Sequence, residues 1–138
     1  MSVKGDVPMP RSGHTLTSYG PYVFLFRGID FSEEAVYNDI YILDTKAWEW
    51  HYVGEKGVEI PARNAHSTCV LRKADNDAVL VIFGGASPEH GPMGDTFYAF
   101  LPPVDSIGEV YVPYTASILL FTSNDVIGPL TCLFLVMM

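Results

Sequence analysis

The chain has 138 residues, of which 49% are hydrophobic and 17% are charged, and these values fit one globular domain rather than two large ones. Sixteen acidic residues against eight basic ones give a net charge of −8, which argues against nucleic acid as a partner because the phosphate backbone would be repelled. Two distant cysteines, no Asn-x-Ser/Thr sequon and no apolar segment of a signal peptide lead us to expect a location in the cytoplasm or the nucleus.

The first elements along the chain belong to an internal repeat. The motif Arg11-x-x-His14 recurs 52 residues later as Arg63-x-x-His66, and each motif is followed by Thr or Ser. Strand-like runs follow at 22–26 and 79–83, and both are continuously apolar with many β-branched and aromatic residues. Such runs are typical of inner strands that are covered on both faces.

The two strand-like runs end on related dipeptides, Arg27-Gly28 in the first copy and Gly84-Gly85 in the second. A strand that ends on glycine predicts a sharp turn or the close approach of another backbone segment. The offset between the copies is 57 residues at this point, and we assign the five extra residues to a polar loop at 73–77.

A third predicted strand, at 39–44, matches the second copy at 95–100. Ile40 and Ile42 lie on one face of this strand and Tyr41 and Leu43 on the other, so each face can pack against a neighbour. The segment at 44–47 predicts a turn in which the Asp44 carboxylate accepts backbone N–H groups. We then expect Trp48 and Trp50 on one face of a fourth strand.

This order of elements, an Arg-x-x-His strand, a strand closing on a glycine pair, a strand with Asp and Tyr, and then Trp, resembles the kelch repeat. The resemblance covers residues 8–100 as two copies, 8–55 and 56–100, and implies that each copy is one four-stranded blade of a β-propeller. The expected fold class is therefore all-β, with two kelch-type blades of an incomplete propeller. Because no Trp follows Phe100, we expect the second blade to lack a regular last strand.

An irregular apolar tail is expected at 101–138. Its two apolar runs, 118–121 and 130–138, are shorter than the roughly 18–20 residues that a membrane-spanning helix needs, so we expect no membrane span. Because propellers typically have about 4 to 8 blades, two copies leave open strand edges. We expect a fragment or truncated product, or self-association through those edges.

Residues that carry the repeat pattern are interpreted as structural, and this reading is favoured for the duplicated Arg and His because a binding or catalytic group is not usually duplicated in this way. This class comprises Arg11, His14, Gly28, Asp39, Trp48, Arg63, His66, Gly84, Gly85 and Asp95. The four histidines lack the spacing of a metal-ligand pair, and no nucleophile motif or phosphate-binding loop occurs. We expect no catalytic residue, no metal and no cofactor.

The loops between the second and third strands of each copy are the candidate binding sites, because loops on a rigid scaffold often carry function and kelch-type propellers bind partners there. The candidate residues are Asp30, Phe31, Glu33 and Glu34 in the first loop and Pro88, Glu89 and His90 in the second. For Phe31, packing on its own blade is the alternative, and for His90 a role in a rigid turn.

The leading functional hypothesis is a noncatalytic protein-interaction module, either a scaffold or a substrate-recognition surface, for a protein partner with a basic segment. The alternatives are part of a kelch-propeller enzyme of oxidase or lyase type, and a nonfunctional remnant.

Overall fold

The computed structural model of the protein describes residues 2–57, 60–72, 78–101, 103–105, 107 and 117–122. The loop predicted at 73–77 and the apolar run at 130–138 lie outside these residues. The described chain is nearly all β, apart from helical residues at 104, 105 and 107, and this confirms the predicted fold class. Its strands are β1 (Lys4–Gly5), β2 (Thr15–Tyr19), β3 (Tyr22–Asp30), β4 (Ala35–Asp44), β5 (Glu49–Gly57), β6 (Ser67–Arg72), β7 (Ala78–Phe83), β8 (Ala86–Ser87), β9 (Gly91–Pro92), β10 (Thr96–Leu101) and β11 (Ser117–Thr122).

Two four-stranded units are built from these strands. The first unit is the antiparallel succession β2-β3-β4-β5, to which β1 adds in parallel against β5. The second unit has the order β6-β7-β10-β11, and the connection from β7 to β10 forms a separate short hairpin, β8-β9. Strand β11 also pairs in parallel with β5, so the two units form one continuous path of hydrogen-bonded strands.

The fourth strand of the second unit comes from the tail. β11 lies antiparallel to β10, with Phe97 opposite Thr122 and Ala99 opposite Leu120. The expectation that this unit lacks a regular last strand is therefore wrong. It followed from the missing Trp, but the pairing of two strands is made by backbone groups and does not need that side chain.

The aligned dipeptides Arg27-Gly28 and Gly84-Gly85 have the same backbone conformation in the two copies. Arg27 and Gly84 have φ of 53° and 65°, and Gly28 and Gly85 have φ of 120° and 96°. In the first unit the dipeptide lies at a bulge in β3, where the register with β4 shifts between Phe26 and Gly28. The φ angles of the two dipeptides therefore agree with the sequence alignment of the two copies.

One hydrophobic core lies between the two units. The face that the first unit turns to this core is not equivalent, in the repeat, to the face that the second unit turns to it. The first unit contributes Phe24 and Phe26 from β3 and Ile40 and Ile42 from β4, and the second unit contributes Leu80, Ile82, Phe97 and Ala99. Phe26 aligns with Phe83 in the second copy, whereas Ile82 aligns with Leu25 in the first. The two units therefore bury non-equivalent sides, and the prediction that Ile40 and Ile42 pack against a neighbouring unit is confirmed.

The turn before β5 is longer than predicted. Asp44 Oδ1 accepts the backbone N–H groups of Lys46 at 2.8 Å and Ala47 at 3.1 Å, which confirms the predicted turn. Trp48 has a φ of 54° and precedes β5, so it is not a strand residue beside Trp50 as expected. The local hydrogen bonds to Asp44 hold the turn as far as Ala47, and Trp48 is its last residue.

Candidate functional site

A buried arginine ties three segments together in each unit. Arg63 Nη1 donates to the carbonyl of Gly84 at 2.9 Å and to Asp95 Oδ1 at 2.6 Å, and its Nη2 donates to Asp95 Oδ2 at 3.0 Å. This hydrogen bond lowers the pKa of Asp95, against the opposing effect of its partial burial. Bidentate pairs of this kind are among the stronger hydrogen bonds in proteins.

The equivalent arginine makes the equivalent contacts in the first unit. Arg11 donates to the carbonyl of Arg27 at 3.2 Å and pairs with both carboxylate oxygens of Asp39. Its guanidinium also lies 4.0 Å from the centre of the Tyr37 ring. Each arginine thus links the start of its repeat to the exit of the second strand and to the third strand.

The histidine of each repeat packs beside the second glycine of the dipeptide. A Cβ built on Gly85 would lie 3.0 Å from the Cβ of His66, and one built on Gly28 would lie 3.1 Å from the Cβ of His14. His66 also crosses to the other unit, where its Nε2 is 2.9 Å from Thr15 Oγ1 and its ring meets that of Phe26 edge-on at 5.6 Å.

Burial, and then the neighbouring Arg27 and Arg63 guanidinium groups, lower the pKa of His66 from 6.5 to about 4. Arg27 itself is fully buried, and its Nη1 donates to Asn38 Oδ1. The residue that replaces glycine in the first copy therefore places a charge close to the interface between the units.

The first candidate loop is a tight turn between β3 and β4. Asp30 Oδ1 accepts the backbone N–H of Ser32 at 2.9 Å and its hydroxyl at 2.6 Å, and these bonds lower the pKa of Asp30. Glu33 and Glu34 are exposed. Phe31 leaves 71% of its surface exposed, so the turn presents an aromatic ring beside carboxylates.

The second candidate loop joins β8 to β9. The Ser87 hydroxyl accepts the backbone N–H of His90 at 3.0 Å and lies 3.2 Å from its Nδ1. Pro88, Glu89 and His90 are all exposed. The fixed position of His90 agrees with a turn role, while its ring still faces solvent.

A shallow cleft of about 390 Å³ brings part of the second loop next to the first unit. It is lined by Asn38, Pro61, Ala62, Glu89 and His90. Glu89 and His90 were identified from the sequence, whereas Asn38, Pro61 and Ala62 were not. Pro88 and the four candidate residues of the first loop do not line this cleft.

The described part of the chain contains no group of three or more His, Cys, Asp or Glu side chains that could hold a metal ion. Within those same residues, no helix has the length and apolar character that a membrane crossing requires.

The repeat geometry and the sequence comparisons agree on the family. Residues 1–102 match the family model described as the KLHDC2/KLHL20/DRC7 Kelch-repeats domain. The chain belongs to the kelch-repeat family. Each unit of this kelch protein, with its paired Arg and Asp and its glycine exit, is thus a kelch blade.

Several longer proteins are similar to this kelch chain. It is 31% identical over 88 residues to dynein regulatory complex subunit 7 of Chlamydomonas reinhardtii, which covers 64% of the chain and 7% of that protein. It is 30% identical over 93 residues to kelch domain-containing protein 2 of Bos taurus, covering 67% of the chain and 21% of that protein. It is 33% identical over 95 residues to host cell factor 1 of Homo sapiens, covering 60% of the chain and 5% of that protein. The chain thus spans a small part of each of these relatives.

Proposed function

We propose that this chain is a noncatalytic protein-interaction module that recognises a basic partner segment through its first loop and the cleft beside its second loop. The observation that carries the proposal is the β3-β4 turn, where Phe31 is 71% exposed between acidic residues. An exposed aromatic ring surrounded by charge is a common feature of recognition surfaces. The kelch family, in which protein binding is the expected role, supports the same function.

The electrostatics favour a cationic partner. Glu33 and Glu34 extend from the first loop, and Glu89 lies in the cleft, on a chain whose net charge is −8. Complementary charge speeds encounter and makes binding weaken as salt rises. A partner segment with Lys or Arg next to an apolar residue would satisfy both the carboxylates and Phe31.

The turn is already ordered by the chain itself. The two hydrogen bonds from Ser32 to Asp30 fix the backbone on the N-terminal side of the glutamates. A loop that is fixed before binding loses less conformational entropy when it binds. Asp30 therefore supports the loop, while Phe31 and the two glutamates are the contact residues.

The test uses two sets of synthetic peptides, one alternating Lys or Arg with apolar residues and the other alternating Asp or Glu with the same apolar residues. Binding to the full chain is measured by calorimetry at low and moderate ionic strength. We expect the basic set to bind and the acidic set not to bind. Glu33→Lys combined with Glu34→Lys should weaken binding about tenfold, because two exposed pairs worth up to about 1 kcal/mol each are replaced by repulsion.

Two control variants make the test specific. Glu49→Lys with Asp105→Lys changes the net charge equally. Glu49 pairs with Asp44, at the end of β4 opposite to the first loop, so little loss is expected. Phe31→Ala should weaken binding, whereas Phe83→Ala, at an exposed ring outside both loops, should not. Equal losses in the loop and control charge variants would contradict recognition by the first loop.

A further inference from the structure

The internal packing of the two blades leaves two complementary surfaces uncovered. We define the front face of a blade as the side that carries Phe24 and Phe26 in the first blade and the aligned Val81 and Phe83 in the second. The back face is the opposite side, which carries Leu80 and Ile82 in the second blade. Within the chain, the front face of the first blade packs on the back face of the second. Among the described residues, no further blade covers the back face of the first or the front face of the second.

Both uncovered faces carry many apolar residues. The front face of the second blade carries Cys69, Leu71, Val81, Phe83 and Tyr98, and the back face of the first carries Leu16, Tyr41, Leu43, Trp50 and Tyr52. Leu16, Leu71 and Phe83 are each more than half exposed. Sheet faces that are bathed in solvent normally carry polar residues, so these two faces have the composition of interfaces.

Counterparts of the three side chains that meet inside the chain occur at the aligned positions of the other blade. Inside the chain, Phe26 and Thr15 of the front face contact His66 of the back face. The residues aligned with Phe26 and Thr15 are Phe83 and Ser67, which lie on the front face of the second blade. The residue aligned with His66 is His14, on the first blade.

Aligned residues of the two blades differ in exposure, and the difference shows where the second blade lacks a packing partner. Phe26 is 1% exposed because the second blade covers it, whereas its counterpart Phe83 is 54% exposed. Ser67 is likewise exposed, while Thr15 is partly buried against His66. The front face of the second blade thus holds an aromatic ring and a hydroxyl group, and the first blade carries His14, the counterpart of the histidine that meets such a pair inside the chain.

We propose that the front face of the second blade packs on the back face of the first blade of a second copy of this chain. Phe83 then contacts the ring of His14 of that copy, and the Ser67 hydroxyl hydrogen-bonds to its imidazole, as Phe26 and Thr15 do with His66. The contact is head-to-tail, because the two surfaces differ, and such contacts form rings or open chains. This assembly goes beyond the proposed recognition function, since it uses sheet faces rather than loops.

The test measures the mass of the full chain by sedimentation equilibrium over a range of concentrations. We expect the wild type to populate multiples of 15.2 kDa. Phe83→Glu blocks only the front face and Leu16→Glu blocks only the back face, so each variant alone should weaken association at least tenfold. Phe31→Glu, which alters an exposed aromatic residue of the first loop, is the matched control and should keep the wild-type mass.

The decisive measurement is an equimolar mixture of Phe83→Glu and Leu16→Glu. Each variant retains the surface that the other lacks, so the mixture should form a dimer with one intact interface. Wild type that stays at 15.2 kDa throughout would overturn the proposal. A mixture that remains monomeric, or a Phe83→Glu variant with wild-type mass, would also overturn it, the latter because it points to pairing of strand edges. Circular dichroism checks that each variant is folded. If Phe83→Glu or Leu16→Glu does not fold, Phe83→Ser or Leu16→Ser takes its place, and the same masses are expected.

Discussion

Replacing Gly85 by alanine tests whether the glycine exit is held by both backbone conformation and close packing. Its φ is 96°, and an added Cβ would lie 2.7 Å from the carbonyl oxygen of Asn64. That oxygen accepts the backbone N–H of Ala86 at 2.9 Å, so it cannot shift without disturbing the bridge between these segments. A positive φ costs an L-residue about 1–2 kcal/mol, and overpacking about 1–3 kcal/mol. We expect Gly85→Ala to lower the free energy of unfolding by about 2–4 kcal/mol.

Two other glycines separate these contributions. Gly91 has a φ of 66° with nothing within 4 Å of an added Cβ, so Gly91→Ala should cost only about 1 kcal/mol. Gly94 also has open space and no positive φ, so Gly94→Ala should change stability by no more than about 0.5 kcal/mol. Urea denaturation followed by circular dichroism gives all three values. Equal losses at Gly85 and Gly91 would refute the contribution of close packing, and an unaffected Gly85→Ala would refute both contributions.

The remaining predictions concern the buried charges. His66 has a pKa of about 4 in the folded chain and about 6.5 when unfolded, so between these pH values the unfolded state binds a proton that the folded state does not. The free energy of unfolding should therefore fall by on the order of 3 kcal/mol as the pH drops from 6.5 to 4. In urea denaturation, His66→Gln should flatten this pH dependence. Arg27→Gly should raise the pKa of His66 in an NMR titration, and an unchanged pKa would show that Arg27 does not act on it. Asp95→Asn leaves the buried Arg63 guanidinium without a carboxylate and should cost about 2 kcal/mol, whereas Asp105→Asn, at an exposed site, should cost less than about 0.5 kcal/mol by the same denaturation measurement.

The repeat and its strands could be predicted from sequence because their determinants are local. An apolar run followed by glycine specifies a buried strand and its exit wherever it occurs, and Arg27 takes the conformation of its aligned glycine, Gly84. The Asp44 turn is local as well, since its acceptor bonds residues two and three positions further along the chain. In each case the interacting groups lie within a few residues of one another.

Features that depend on contacts between distant segments were not predictable in this way. β11 joins β10 and β5 through backbone pairing, and no side-chain motif in the tail specifies those partners. The cleft combines Asn38 with Pro61 and His90, which come from three segments that meet only after folding. The sequence located the second loop but not the neighbours that complete its cleft.

The charge at Arg27 distinguishes the internal blade interface from the one proposed between copies. Arg27 and its acceptor Asn38 align with Gly84 and Gly94 in the second copy, so both members of the hydrogen-bonded pair are replaced by glycine together. The internal interface therefore buries a guanidinium group close to His66, and Asn38 compensates part of its desolvation. The interface between copies would have no side chain at either of the two aligned positions. It would bury no guanidinium group aligned with Arg27, and its stability would depend on apolar contact around Phe83.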